Sequence, residues 1–182
     1  MRLDTSSAKD EKDLDSGFNP PAPGKYLAIV KNAQEFPEFA KDRIVIEFDV
    51  IDGSVPGQSG KNLSEFFAVS EKAMKRLNRL AVKLDLIKPG ETKDVNFADA
   101  IGAVLVIDVE NHEWNDEKTG QKKSGVRLMF NGFNRVSDPD SAEFMKIAPV
   151  RAAYQAITAA VSQQQAAPNT AAQPAKSGTF SF

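Results

Sequence analysis

Hydrophobic and polar positions alternate along three successive stretches of the chain after residue 24. The clearest is Asp42–Ile51, in which one side carries only apolar residues: Ile44, Ile46, Phe48 and Val50. Because alternate side chains of a strand point to opposite faces, this pattern is typical of a half-buried strand. Similar stretches at Tyr26–Gln34 and Lys61–Val69 predict two further strands. We therefore expect each strand to turn one face toward a core.

The apolar spacing then changes to that of a helix from about Glu71 to Leu84, with Ser70 placed as its N-cap. The predicted buried stripe consists of Ala73, Leu77, Leu80, Ala81 and Leu84. A second stripe consists of Lys72, Lys75, Arg76, Arg79 and Lys83. We favour the solvated side of a surface helix for this second stripe, over a track for phosphates. Apolar and polar residues alternate again at Val104–Glu113 and Val126–Arg135, which are the fourth and fifth predicted strands.

The resulting order, β-β-β-α-β-β, is that of a five-stranded oligonucleotide/oligosaccharide-binding (OB) barrel with its helix between the third and fourth strands. We assign this mainly-β domain to residues 24–140, after an extended, proline-containing arm at 1–23. A helical extension at 141–165 is predicted to pack on the barrel or to support a homodimer. Residues 166–182 form a flexible tail rich in Gln, Ala and Pro. Since such barrels usually hold extended polymers, the fold favours binding over catalysis.

Charge narrows the choice of partner. The 182 residues carry a net charge of −2, and the segment 24–136 holds 17 basic and 17 acidic side chains. This balance argues against a general polyanion binder, unless the charges are segregated by face. The absence of cysteine excludes disulfides and thiolate zinc sites, and it fits a reducing cytoplasm. No stretch is long and apolar enough to suggest a membrane span.

The loop between the fourth and fifth predicted strands carries candidate ligand contacts. Trp114 offers a ring on which a base can stack, and Lys122 and Lys123 offer charges for phosphates. The alternative is a solvated hairpin whose Trp114 packs on the barrel edge. Phe66 and Phe67 are adjacent on the third strand, so one should enter the core and the other should remain exposed. The sequence leaves open which of the two is exposed.

Two further aromatic residues on the last strand are assigned by alternation. Phe130 is in phase with Leu128, which predicts a core position. Phe133 is in phase with Arg127 and Arg135, which predicts an outer face where it stacks on a base while the arginines bind phosphates. The alternative for Phe133 is packing against the C-terminal helix.

Other chemistry is less well supported. Asp108 and Glu110 lie two residues apart and suggest a metal-dependent nuclease, but no lysine or histidine partner is evident. His112 is the sole histidine, which rules out a His-rich metal site, and no phosphate loop or dinucleotide fingerprint is present, so we expect no catalytic residue, metal or cofactor. Phe180 and Phe182 resemble a docking peptide on a flexible tether. A protein-protein adaptor that uses the C-terminal helix and this tail is therefore the main alternative function.

Several segments together resemble the single-stranded DNA-binding proteins of OB type that bacteriophages and prophages encode. The resemblance covers about residues 20–140 and depends on Pro23–Tyr26, Ile46–Gly53, Pro56–Lys61, Glu65–Phe67, Ala73–Leu77 and Asn131–Phe133. It implies a non-catalytic protein of the host cytoplasm that coats single-stranded DNA during phage replication or recombination. It also implies a tail that recruits replication proteins. The chain departs from that pattern because no acidic side chain follows Glu143.

Overall fold

A computed structural model describes residues 19–116 and 119–166, and it describes side chains as far as residue 160. Five strands form the framework of this part of the chain: β1 (Gly24–Glu35), β2 (Arg43–Gly53), β3 (Asn62–Ala68), β4 (Val104–Asn115) and β5 (Lys122–Arg135). The helices are α1 (Met74–Lys83), α2 (Ala148–Ala166) and three 3-10 turns at Phe97–Ala100, Pro139–Ser141 and Phe144–Lys146. The predicted mainly-β order with one helix between β3 and β4 is confirmed.

The strands form one antiparallel sheet in the order β3-β2-β1-β4-β5. β1 occupies the centre because it pairs with β2 on one side and with β4 on the other. The register of its pairing with β2 shifts after Leu27 and again after Val30. Each neighbouring pair is antiparallel, so the outer strands β3 and β5 run parallel to each other. They form no ladder with each other in the described part of the chain, and the sheet is therefore not closed.

The main core covers one face of this sheet. As predicted, β2 contributes Ile44, Ile46, Phe48 and Val50 to it. α1 covers one end of the core with Leu77, Leu80 and Ala81. The predicted cap at Ser70 is wrong: α1 begins at Met74 with Ala73 as its N-cap, and no side chain caps it. Instead, the Ser70 carbonyl accepts hydrogen bonds from the N–H groups of Ala73 and Met74 in a preceding turn.

A second, smaller core lies on the opposite face of the sheet. It joins Leu27 of β1 and Val106 of β4 to Phe144 and Val150. Tyr154 and Ile157, one and two turns further along α2, pack against the same cluster. The first half of α2 therefore docks on the domain, which is one of the two arrangements predicted for the C-terminal helix. No described helix has the length and apolar character that crossing a bilayer would require.

One irregularity in β5 decides which aromatic rings are buried. Ile107 pairs with Phe133 and Val109 pairs with Leu128, so the single residue Asp108 faces the four residues Met129–Gly132. We call this four-residue excursion the β5 bulge. It shifts the alternation of β5, so that Phe130 is exposed and Phe133 is fully buried. The predicted core position of Phe130 and the predicted outer position of Phe133 are both wrong for this reason.

Gly132 makes the β5 bulge sterically possible. A Cβ at this position would lie 2.7 Å from the Met129 Cβ and 2.9 Å from the Asp108 carbonyl oxygen. We expect Gly132→Ala to lower the free energy of unfolding by about 1–3 kcal/mol, measured by urea denaturation, because the backbone must move. Gly125→Ala is the matched control on the same strand, since its Cβ would meet only the Trp114 side chain, at 3.2 Å. Equal losses for the two variants would contradict this account of the bulge.

Candidate functional site

The boundary between β3 and β5 is bridged by side chains. Glu65 of β3 is only 8% exposed, and its Oε2 accepts a hydrogen bond from the Leu128 N–H at 3.2 Å. Its Oε1 is 2.8 Å from Nη2 of Arg76 on α1. The Arg76 Nε in turn donates to the Phe130 carbonyl oxygen at 2.9 Å. One carboxylate and one guanidinium thus connect three elements where a backbone ladder is absent.

Two exposed aromatic rings stand at this boundary. Phe66 points away from the main core and is 42% exposed, whereas the neighbouring Phe67 is buried. Phe130 is 63% exposed on the β5 bulge. The Arg76 Cζ lies 5.3 Å from the Phe130 ring centroid and 4.6 Å from that of Phe67, within the range of cation–π contacts. The question that the sequence left open is answered: Phe66 is the exposed residue of the adjacent pair.

These rings border a small open cavity that we call the seam notch. Its volume is about 140 Å³, and it is lined by Phe66, Phe67, Ala68, Ala73, Arg76 and Phe130. Two of these lining residues each follow a lysine in the sequence: Lys72 precedes Ala73, and Lys75 precedes Arg76. Neither lysine forms an ion pair with any carboxylate in the described part of the chain. The seam notch therefore combines exposed rings with one guanidinium, and two exposed lysines are adjacent in the sequence to residues that line it.

The predicted contacts on the β4–β5 hairpin lie elsewhere, and the Trp114 side chain is 43% exposed, like that of Phe66. The Trp114 ring stacks on His112, with 5.5 Å between centroids and an angle of 17°, and it lies over Gly125. Trp114 is also five residues beyond Val109, the partner of Leu128. That spacing corresponds to about 17 Å of strand. The hairpin and the seam notch are therefore separate surfaces.

The predicted phosphate contacts of the hairpin each have an acidic partner. Lys122 pairs with Glu113 at 2.6 Å, and the Nε of Arg127 pairs with Oε1 of Glu110 at 2.9 Å. Lys123 pairs with Asp116. Exposed ion pairs of this kind contribute about 0–1 kcal/mol, so a phosphate could displace them. The hairpin nevertheless presents much less net positive charge than a count of its lysines and arginines suggests.

Three other residues that were predicted to contact DNA instead stabilise the fold. Phe67 and Phe133 are buried in the core, where their rings meet edge to face at a centroid distance of 6.2 Å. Arg135 donates from Nη2 to the Val82 carbonyl and pairs with Asp85, at the C-terminal end of α1. A cation is favoured there by the partial negative charge of the helix end. The prediction that Phe133 stacks on a base is therefore wrong, because its ring packs in the core. Arg135 binds the C-terminal end of α1.

The turn between β1 and β2 adds two exposed rings that the sequence analysis missed. Phe36 and Phe39 both lie largely in solvent, and Phe36 has φ = 51°, a conformation in which bulky residues are rare. The turn is nevertheless held by hydrogen bonds, from Phe36 N to the Arg43 carbonyl and from Ala40 N to the Pro37 carbonyl. The signal was present in the sequence, since two phenylalanines in a polar turn are unusual.

The residues considered for a nuclease are paired with cations. Asp108 lies 3.4 Å from the Lys25 Nζ, and Glu110 pairs with Arg127. Within residues 19–116 and 119–166, no group of three or more metal-ligating side chains comes together. The proposed docking residues Phe180 and Phe182 lie outside the described residues, so that prediction stays open. No protein-family model matches the chain, and a search of curated proteins gives no significant match.

Proposed function

We propose that this protein binds single-stranded DNA at the seam notch, without sequence preference and without catalysis. The observation that carries this proposal is the pair of exposed rings, Phe66 and Phe130, which line the same small cavity as the Arg76 guanidinium. Stacking of a base on an aromatic ring contributes about 1–3 kcal/mol and tolerates any base. Arg76, Lys72 and Lys75 would meet the phosphates that connect the stacked bases.

The topology supports the same proposal. We infer that the sheet is an OB-type barrel in a partly open form, with its opening between the parallel outer strands β3 and β5. In such barrels, ligands lie across the second and third strands and beside the loops that connect the strands. The seam notch borders β3, and the β1–β2 turn lies at the same end of the sheet, because Arg43 pairs with Ala68. A role in phage DNA replication or recombination is a proposal that follows from the resemblance of the sequence.

A titration of labelled oligothymidylate, followed by fluorescence anisotropy across a salt series, tests this function. Each neutralised phosphate of a single strand contributes about −0.7 to the slope of log K against log salt, so three cations predict a slope of about −2. We expect duplex DNA of equal length to bind more weakly, because its bases are not available for stacking. Equal affinity for the duplex, or binding that is insensitive to salt, would contradict the proposal.

Because the β1–β2 turn exposes aromatic rings, we expect longer DNA strands to make an additional contact there. Gln34, Val45 and Phe66 are cross-strand neighbours, so the turn lies about two strand spacings, or roughly 10 Å, from the seam notch. We expect Phe39→Ala to weaken binding of oligomers of about 16 nucleotides by about 1 kcal/mol and to leave oligomers of about four nucleotides unaffected. Glu38→Ala is the control in the same turn. Unchanged affinity at both lengths would exclude the turn from the binding surface.

A further inference from the structure

Glu65 lies directly behind the proposed binding site and shares its guanidinium. Its carboxylate contacts Arg76 from α1 and the Leu128 N–H from β5, while its cross-strand neighbour on β2 is the apolar Ile46. The charged groups that act on it are Arg76 and, more weakly, Arg127 of β5. A guanidinium keeps its proton in proteins, whereas a carboxyl can gain one. Glu65 is therefore the titrating group of this cluster.

Burial raises the pKa of Glu65, and the charge of Arg76 opposes this effect without cancelling it. The ionised form of Glu65 is therefore less favourable in the protein than in water. Its negative charge also offsets the positive charge that Arg76 presents to the seam notch. A phosphate that approaches Arg76 must also approach this carboxylate. Like charges in a poorly solvated site disfavour each other's ionised forms, so an arriving phosphate favours protonation of the buried carboxyl.

We infer that Glu65 is a positioning residue that sets the charge available at Arg76, and that DNA binding is coupled to the uptake of one proton by Glu65. This inference rests on the proposed function. The proton comes from solvent and adds to Oε1, the oxygen that faces Arg76. Oε2 still accepts the hydrogen bond from Leu128, so β3 and β5 stay connected. The Arg76 Nη2 then turns from the carboxylate to the phosphate.

The direction of the pH dependence follows from linkage. The bound state holds more protons than the free state between the two pKa values of Glu65, so affinity rises as pH falls through that interval. Complete coupling of one proton gives up to a tenfold change in Kd per pH unit. His112, the sole histidine, lies away from Glu65 on the β4–β5 hairpin, where it stacks on Trp114.

Calorimetric titration of the full chain with oligothymidylate, in two buffers of different ionisation enthalpy at one pH, measures proton uptake directly. We expect the wild type and the control His112→Gln to take up protons on binding. We expect Glu65→Gln, which keeps an acceptor for Leu128, to take up none and to bind with an affinity that changes little with pH. Circular dichroism would establish that each variant is folded.

The outcomes separate the two proposals. Binding without proton uptake by the wild type overturns the role of Glu65 and leaves the proposed function intact, and this result does not depend on any variant folding. Uptake that persists in Glu65→Gln, or that disappears in His112→Gln, also overturns the role of Glu65. Absence of binding at every pH overturns the proposed function itself.

Discussion

Replacing Phe133 by alanine should lower the free energy of unfolding by about 3–5 kcal/mol, the cost typical of removing a buried phenylalanine. The Phe133 ring is fully buried, it meets Phe67 edge to face, and the Arg79 Cζ lies 5.8 Å from its centroid. The variant would leave a cavity between β3, β5 and α1. The midpoint of urea denaturation measures this loss.

Phe130→Ala is the matched comparison, since the two rings lie three residues apart on the same strand. Because the Phe130 ring is exposed, its removal should change stability by no more than about 0.5 kcal/mol. The opposite result, a stable Phe133→Ala and an unstable Phe130→Ala, would indicate that Phe130 is buried and Phe133 is exposed, as simple alternation predicts. It would also remove the basis for the seam notch.

The second large effect concerns affinity. Phe130→Ala should weaken binding of oligothymidylate by about 1–3 kcal/mol, which is about five- to 150-fold in Kd, because one stacking surface is lost. Phe66→Ala should lose a similar amount. The control is Met129→Ala, which removes another exposed apolar side chain from the β5 bulge but no aromatic ring. Equal losses for Met129→Ala and Phe130→Ala would indicate general apolar contact and contradict stacking.

The sequence predicted the order of the elements because that order depends on local patterns. The alternation in β2 and the apolar stripe of the helix appear in the core as expected, except for Ala73, which is only half-buried and precedes α1 as its N-cap. The predicted orientations of Phe130 and Phe133 in β5 were wrong, because strict alternation assumes that each residue of β5 lies opposite one residue of β4. The β5 bulge breaks that assumption with four residues opposite Asp108. Gly132 was the available signal, since a glycine inside a strand often marks a bulge.

The candidate site depends on contacts between residues that are distant in the sequence. Glu65 is 63 residues from Leu128, and Arg76 is 54 residues from Phe130. No periodicity reveals such pairs, so Arg76 was interpreted only as part of a solvated helix stripe. The partners of the hairpin cations were not predicted, although one of these pairs follows from the strand register. Glu110 and Arg127 are directly opposite in the β4–β5 ladder, as a correct hairpin register would have indicated.

The central claim is that bases stack at the boundary between β3 and β5, away from the β4–β5 hairpin. The most direct test compares the affinities of a Phe66→Ala/Phe130→Ala double variant and of Trp114→Ala for one labelled oligothymidylate. We predict a loss of at least about tenfold for the double variant, equivalent to about 1.4 kcal/mol, and a clearly smaller loss for Trp114→Ala. A double variant that binds like the wild type, beside a Trp114→Ala variant that does not bind, would contradict the account.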